Sequence, residues 1–321
     1  MIGFTLAADV GSSLTRVAAR NRIRADETRA ALDKANGSRV LAVGEKAGKL
    51  LNVNCVWPVR GCISDVTLAA IILRRFALEL MRRRSLMGVG LRLGMPLSAS
   101  PVELAAALDM GREAGFTSVR IVDSMLAGAE GAGVDIYGDT ARIVADVGRE
   151  RINIAAIANG CVILRTTVPF GSSAFDKQIQ AYYAMEHNTL ISLYAAERVK
   201  RALNRPSVRV HGRETWNGQP LMRAMRTATL REATEPTVRR IANELISFIG
   251  GLSPDTAADV YDNGIVLIGG GANMFGLAES LENKLEIPVV RALNADSAVI
   301  AGLQRCLKRP YIKSDQSMEI M

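Results

Sequence analysis

Apolar residues in this chain gather in short runs broken by glycine and acidic turns. The first run, residues 2 to 8, meets Asp9-Val10-Gly11-Ser12-Ser13-Leu14-Thr15 and resumes as Arg16-Val17-Ala18-Ala19. That is the grammar of strand, tight turn and strand. It returns at Ala141-Arg142-Ile143-Val144-Ala145-Asp146-Val147-Gly148, followed after a short polar turn by Ile152-Asn153-Ile154-Ala155-Ala156-Ile157. A strand, an Asp-Val-Gly turn and a strand, used twice far apart, imply two similar halves facing each other.

Between the two turns, helical spacing of apolar residues predicts helices over 65–84, 101–114 and 124–132, with strands over 88–95 and 118–123. The second half predicts a strand over 160–168, helices over 173–185 and 190–203, a hairpin over 207–219 and a helix over 235–249. A buried strand then runs into Gly269-Gly270-Gly271-Ala272, and a helix follows over 274–285. Strands alternating with helices make the class α/β, each lobe a mixed sheet with helices on its faces. The tail after Pro310 is polar and is expected to fray.

Length supports the same division, because 321 residues exceed one ordinary core and suit two lobes with a cleft between them. No segment approaches the roughly 18 uninterrupted apolar residues of a membrane span, and the N-terminus reads as a strand rather than a signal peptide. A cytoplasmic location is the expectation. Cys55, Cys62, Cys161 and Cys306 show no C-x-x-C spacing and only two histidines are present, which disfavours zinc and favours reduced thiols. The net charge of +8 fits nucleic acid, anionic lipid or an evenly basic surface, but aromatic residues at 5% are too few for base stacking, so nucleic acid is not expected.

The candidate chemistry lies in four ordered pieces. An Asp-x-Gly turn lets backbone amides approach a phosphate while its carboxylate holds a hydrated Mg²⁺. Asp9 and Asp146 stand in two such turns, with Gly11, Ser12, Ser13 and Thr15 beside the first and Gly148 beside the second. Glu197 and Lys200 lie one helical turn apart, and the glycines 269 to 271 permit close backbone approach to a flat ligand or sugar. Together they describe two phosphate turns and a nucleoside shelf.

This ordered set resembles the superfamily of actin, sugar kinases and heat-shock chaperone ATPases, and within it the bacterial MreB proteins. The resemblance is carried by Leu41-Ala42-Val43-Gly44-Glu45-Lys46-Ala47, by Trp57-Pro58-Val59-Arg60-Gly61-Cys62-Ile63-Ser64-Asp65, by Ala127-Gly128-Ala129-Glu130-Gly131-Ala132-Gly133, and by the stretch Asp262 to Ala272. It spans about residues 4 to 307. It implies an actin-like ATPase fold: 1–144 as a first lobe with a small subdomain at about 22–58, 145–294 as a second with a subdomain at about 176–254, 295–308 as a helix returning to the first lobe, and 309–321 as a flexible tail. It also implies ATP or ADP with Mg²⁺ held at Asp9 and Asp146, further nucleotide contacts from Gly171, Glu197, Lys200 and the shelf 269–272, self-association into filaments, and a role in cell shape.

Three departures from the family pattern lead us to expect weak or lost hydrolysis. Asp146-Val147-Gly148 continues as Arg149-Glu150-Arg151 where further glycines and threonine are usual, so that an arginine either points to solvent or reaches the γ-phosphate. The catalytic candidates are Asp123, Ser124 and Asp146, but Ser124 stands where the family has a glutamate, and a hydroxyl is a poor base. Gly171-Ser172-Ser173 replaces two glycines and an aspartate. A small-molecule kinase and a nucleotide-free adaptor of the same fold stay open. Some family members dock on membranes, and the stretch of Arg82, Arg83, Arg84, Leu86 and Met87 reads either as a peripheral contact with the anionic inner membrane or as a helix end followed by buried apolar residues.

Overall fold

In the first half, the strands Phe4–Val10, Leu14–Ala19 and Arg22–Glu27 form an antiparallel meander, and Val89–Met95 and Ser118–Asp123 add in parallel beside the first strand. In the second, Arg142–Val147, Ile152–Ala158 and Cys161–Val168 form the meander, and Ile265–Ile268 and Val289–Arg291 add in parallel. Two five-stranded sheets thus share one strand order. In this computed structural model residues 4–37, 39–82 and 85–308 are described.

Equivalent positions of the two sheets carry the acids. Asp9 and Asp146 are each the penultimate residue of a meander's first strand, followed by valine and then glycine. Each lies at the carboxyl end of a parallel pair, Asp9 opposite Gly94 and Asp146 opposite Ile268. Ligand crevices of α/β sheets form at such ends. Leu6, Ala7 and Ala8 are all fully buried, as are Ile143, Val144 and Ala145 to within 1%, so both strands are covered on both faces and read as continuous apolar runs.

Helix Val66–Met81 starts where Asp65 accepts from the Leu68 amide, and Pro101–Glu113 starts with a reciprocal capping box between Ser100 and Glu103. Both pack on the first sheet through Leu73, Phe76, Ala107 and Met110. Between the sheets, helices Ser124–Ala132 and Ala298–Lys308 cross so closely that a Cβ on Gly131 would strike the Ala298 carbonyl and one on Gly302 the Ala127 carbonyl. The last helix also reaches the first sheet, with Gln304 donating to the Ala19 carbonyl at 2.7 Å.

Several elements differ from the sequence expectation. The long helix expected from 235 starts at Thr227 and continues to Gly250 with Pro236 inside it, because its apolar stripe, from Leu230 to Phe248, stays buried throughout and outweighs one lost backbone bond. Helix Pro254–Asn263, capped by Ser253, was not expected although Ser-Pro is a sound start signal. The helix expected to reach residue 84 ends at Met81, with Arg82 left-handed at φ 54°. Arg83, Arg84 and the tail from 309 lie outside the described residues. The proposed membrane stretch needs one correction. Leu86 is 1% exposed in the core under the first sheet, and only Met87, at 84%, is outside.

Candidate functional site

Within the first hairpin, Asp9 pairs in register with Arg16, and the two side chains meet: Arg16 Nη1 stands 3.6 Å from Asp9 Oδ2 while Nη2 stands 3.7 Å from Asp296 Oδ2. In the second hairpin the equivalent partner of Asp146 is Asn153, which hydrogen-bonds its carboxylate. Asn153 Oδ1 accepts from Thr167 at 2.9 Å, and the Thr167 hydroxyl shares a 2.6 Å hydrogen bond with Ser98 of the first half.

The two aspartates are linked through charge. Burial pushes Asp146 up to about 7, the charge of Asp9 adds to the rise, and Arg16 and Asn153 oppose it. Asp9 is raised as well, by burial first and against the pull of Arg16, although about a quarter of its side chain still meets solvent. The charge of Asp9 therefore acts on Asp146 across the two hairpins, in a place where burial already disfavours the charged form.

The turn that follows Asp146 does not send its arginines outward. Arg149 Nη1 donates to Glu197 at 3.0 Å, Glu150 accepts from Ser173 at 3.0 Å, and Arg151 bonds Glu103 and lies over Gly61. The expectation of a solvent-facing arginine is therefore corrected: a guanidinium turned inward beside a carboxylate keeps its charge compensated. Glu197 sits below its ordinary value, because Arg149, with Arg201 and Lys200, outweighs burial. The carbonyls of Gly148 and Arg149 accept from the amides of Ser172 and Ser173, both at 2.8 Å, and this draws the Gly171 turn against the hairpin.

Lys200 takes a different partner from Glu197 within the same charge cluster. Its ammonium donates to the Ser172 carbonyl at 3.0 Å and lies 2.7 Å from Asp176, which is 1% exposed. Neither carboxylate oxygen of Asp176 has a hydrogen bond of good angle, so that contact is an ion pair more than a directed bond. Burial lowers Lys200 and raises Asp176, each against the other's charge.

The glycine shelf is mostly spoken for by the protein. Gly269, at φ 85°, leaves room for the Asp146 carboxylate and Val147 carbonyl, and Gly271 leaves room for Val147 and Ser172. Gly270 has nothing within 4 Å of where its Cβ would be and stays open, while Ala272 is buried beneath.

Other expected contacts sit less favourably. Ser12 accepts from the Gly61 amide at 2.8 Å, and the Ser13 carbonyl accepts from Thr28. Gly11 and Gly148 close their own turns on Leu14 and Arg151. Thr15 is fully buried and bonded to Thr28, so its hydroxyl is sealed from solvent. Asp123 is 3% exposed, caps helix Ser124–Ala132 through the Met125 amide at 2.9 Å and pairs with Arg165 at 3.4 Å; burial raises it despite these partners. Ser124 is 6% exposed in the first turn of that helix. The sequence reading missed Arg16, Asn153, Asp176 and Asp296. For Arg16 a signal existed, since a charge between buried Thr15 and Val17 in a covered strand must face a partner.

A family model described as MreB/Mbl protein matches residues 4–314. The chain belongs to the MreB/Mbl family. Cell shape-determining protein Mbl of Bacillus subtilis strain 168 is 27% identical over 285 residues, 85% of each chain. Cell shape-determining protein MreB of Escherichia coli K12 is 27% identical over 284 residues, 84% of this chain and 82% of its own. The fold is that of MreB 5 of Spiroplasma citri bound to AMPPNP, with a TM-score of 0.90 at 22% identity over 96% of this chain and 97% of that one. It is also that of the MamK double helical filament, with a TM-score of 0.79 at 19% identity over 95% and 98%. The two twin sheets of this MreB/Mbl chain are thus the two lobes of an actin-like fold.

The donors present fit a polyanion better than a metal. Arginines stand at both hairpins, and the face at Gly270 is open. A hydrated Mg²⁺ does not fit the arrangement, because the guanidinium of Arg16 already stands 3.6 Å from Asp9, one of the two carboxylates the ion would need.

Proposed function

We propose that this chain is an actin-like cytoskeletal protomer that takes ATP or ADP between its acidic hairpins and self-associates into filaments. Its role is cell shape or intracellular organisation, and hydrolysis is slow or lost. The observation that carries the reading is the placement of Asp9 and Asp146 at equivalent strand ends of the two lobes, with the charge of Asp9 acting on Asp146. Kinship with cell shape-determining proteins supports the role, and neighbours of the same fold bound to AMPPNP or built into a filament support the nucleotide and the assembly. Slow hydrolysis follows from Ser124 and from Asp123, whose carboxylate is committed to a helix cap and an arginine. The same commitment argues against a small-molecule kinase, which needs a free base over a second substrate.

A nucleotide-free adaptor is the second reading, favoured by one observation: Glu197 and Lys200 are already engaged by Arg149 and Asp176. Electron microscopy of the purified chain with and without ATP, beside calorimetry with ATP, separates the two. Filaments and measurable binding support the proposal, filaments without binding support the adaptor, and no assembly under either condition overturns both. The proposed location is cytoplasmic; no helix among the described residues is long and apolar enough to cross a membrane. Peripheral contact with an anionic surface, reduced by the burial of Leu86, rests on Arg82 and Met87.

A further inference from the structure

The first acidic hairpin carries a cation of its own. Arg16 is 11% exposed, stands opposite Asp9 in the hairpin register, and places its two terminal nitrogens 3.6 Å from Asp9 and 3.7 Å from Asp296. Asp146 lies within the field of the same guanidinium. Two carboxylates from two segments, the first hairpin and the turn Ala295–Ser297, therefore flank one positive group, and Asp146 of the second hairpin feels its charge. That turn is fixed to the glycine shelf, since the Gly269 amide donates to the Ala295 carbonyl at 2.7 Å, so the cluster is held by backbone as well as by charge.

No group of three or more acidic, histidine or cysteine side chains among the described residues is placed to hold a metal, and an ion such as Mg²⁺ takes six oxygen ligands at about 2.0–2.1 Å, several of them water. Arg16 fills that space, cannot be deprotonated in a protein, and repels a second cation. A guanidinium can also do what the metal would do for a polyphosphate, because its planar fork meets phosphate oxygens directly. A second fork, Arg149, comes from the opposite hairpin, 3.0 Å from Glu197 and 3.5 Å from Glu150.

We propose that Arg16 is the resident counter-ion of the cleft in place of a divalent metal, so that this chain takes its nucleotide as the metal-free polyphosphate. The inference rests on the nucleotide reading of the cleft. Arg16 is a specificity-determining residue, and the ligand class it selects is a nucleoside di- or triphosphate without bound Mg²⁺.

The test is calorimetric titration of ADP into the full chain, once in MgCl₂ and once in EDTA. The expected result is an affinity equal in the two buffers to within about 3-fold, with Arg16→Leu losing ~10-fold or more in EDTA and recovering in MgCl₂. A second readout needs no nucleotide: the electron paramagnetic resonance signal of Mn²⁺ titrated into the wild-type chain stays that of the free ion, whereas Arg16→Leu quenches it. ADP binding that requires MgCl₂, or Mn²⁺ captured by the wild-type chain, overturns the inference and leaves the nucleotide reading standing. Absence of ADP binding in both buffers overturns the nucleotide reading and the inference with it. The wild-type arms decide the matter even if Arg16→Leu does not fold.

Discussion

Arg151, in the turn of the second acidic hairpin, crosses to the other lobe and bonds Glu103 at the start of helix Pro101–Glu113. Glu103 thereby serves twice, in the capping box with Ser100 and as the far end of an interlobe ion pair. Burial pushes its carboxyl up, but the Ser100 amide and Arg151 together outweigh burial and hold it below the ordinary 4.5. A depressed acid stabilises the fold fully above its unfolded value and loses that contribution as pH falls through the folded one. Glu103→Gln is expected to cost about 1–3 kcal/mol near neutral pH, measured by urea unfolding. The gap between wild type and variant is expected to close as pH falls below 4.5; a gap that is constant with pH contradicts the pairing.

The shelf glycines have separable roles. A Cβ at Gly269 meets the Asp146 carboxylate and the Val147 carbonyl on a backbone already at φ 85°, whereas one at Gly270 meets nothing. Gly269→Ala should cost on the order of 2–4 kcal/mol, and Gly270→Ala should melt within a degree or two of wild type. If a nucleoside rests on the open glycine, Gly270→Ala weakens ADP binding while leaving stability alone. Calorimetry and thermal melts on the two variants check this.

Asp123 is expected to act on stability rather than chemistry, because its carboxylate caps a helix and pairs with Arg165. Removing the cap of helix Ser124–Ala132 and the partner of Arg165 by Asp123→Ala should cost about 1–3 kcal/mol in denaturant unfolding. Any residual phosphate release from ATP, measured per folded molecule, should be unchanged. A fall of ~10-fold or more in that rate would return Asp123 to a chemical role.

The stretch after helix Val66–Met81 separates into one core and one surface residue. Leu86→Asp buries a charge under the first sheet and should unfold the chain, whereas Met87→Asp should leave the melting temperature within a degree or two. Flotation with anionic vesicles reads the surface role: Met87→Asp should reduce any membrane binding, and undiminished binding removes Met87 from the proposal.

The doubled strand, Asp-Val-Gly turn and strand made the two lobes legible, since continuous apolar runs and glycine turns are local signals that tertiary packing had no reason to override. The glycine string after Ile268 was legible for the same reason, but which glycine stays open was not, because that depends on where Asp146 and Ser172 come to rest. Arg149 and Arg151 could be seen as misfits in a phosphate turn. Their partners Glu197 and Glu103 each stand 48 residues away, and no local pattern links them. Helix Thr227–Gly250 was misread at its start because Pro236 is a strong local breaker that the buried stripe overcame.

The most direct test of the account is a crystal structure of the full chain grown with ADP. The account predicts diphosphate density between Asp9 and Asp146, the nucleoside against Gly270, and Arg149 turned from Glu197 toward the phosphates. A cleft that keeps the Arg149–Glu197 pair and holds no nucleotide at saturating ADP would contradict it.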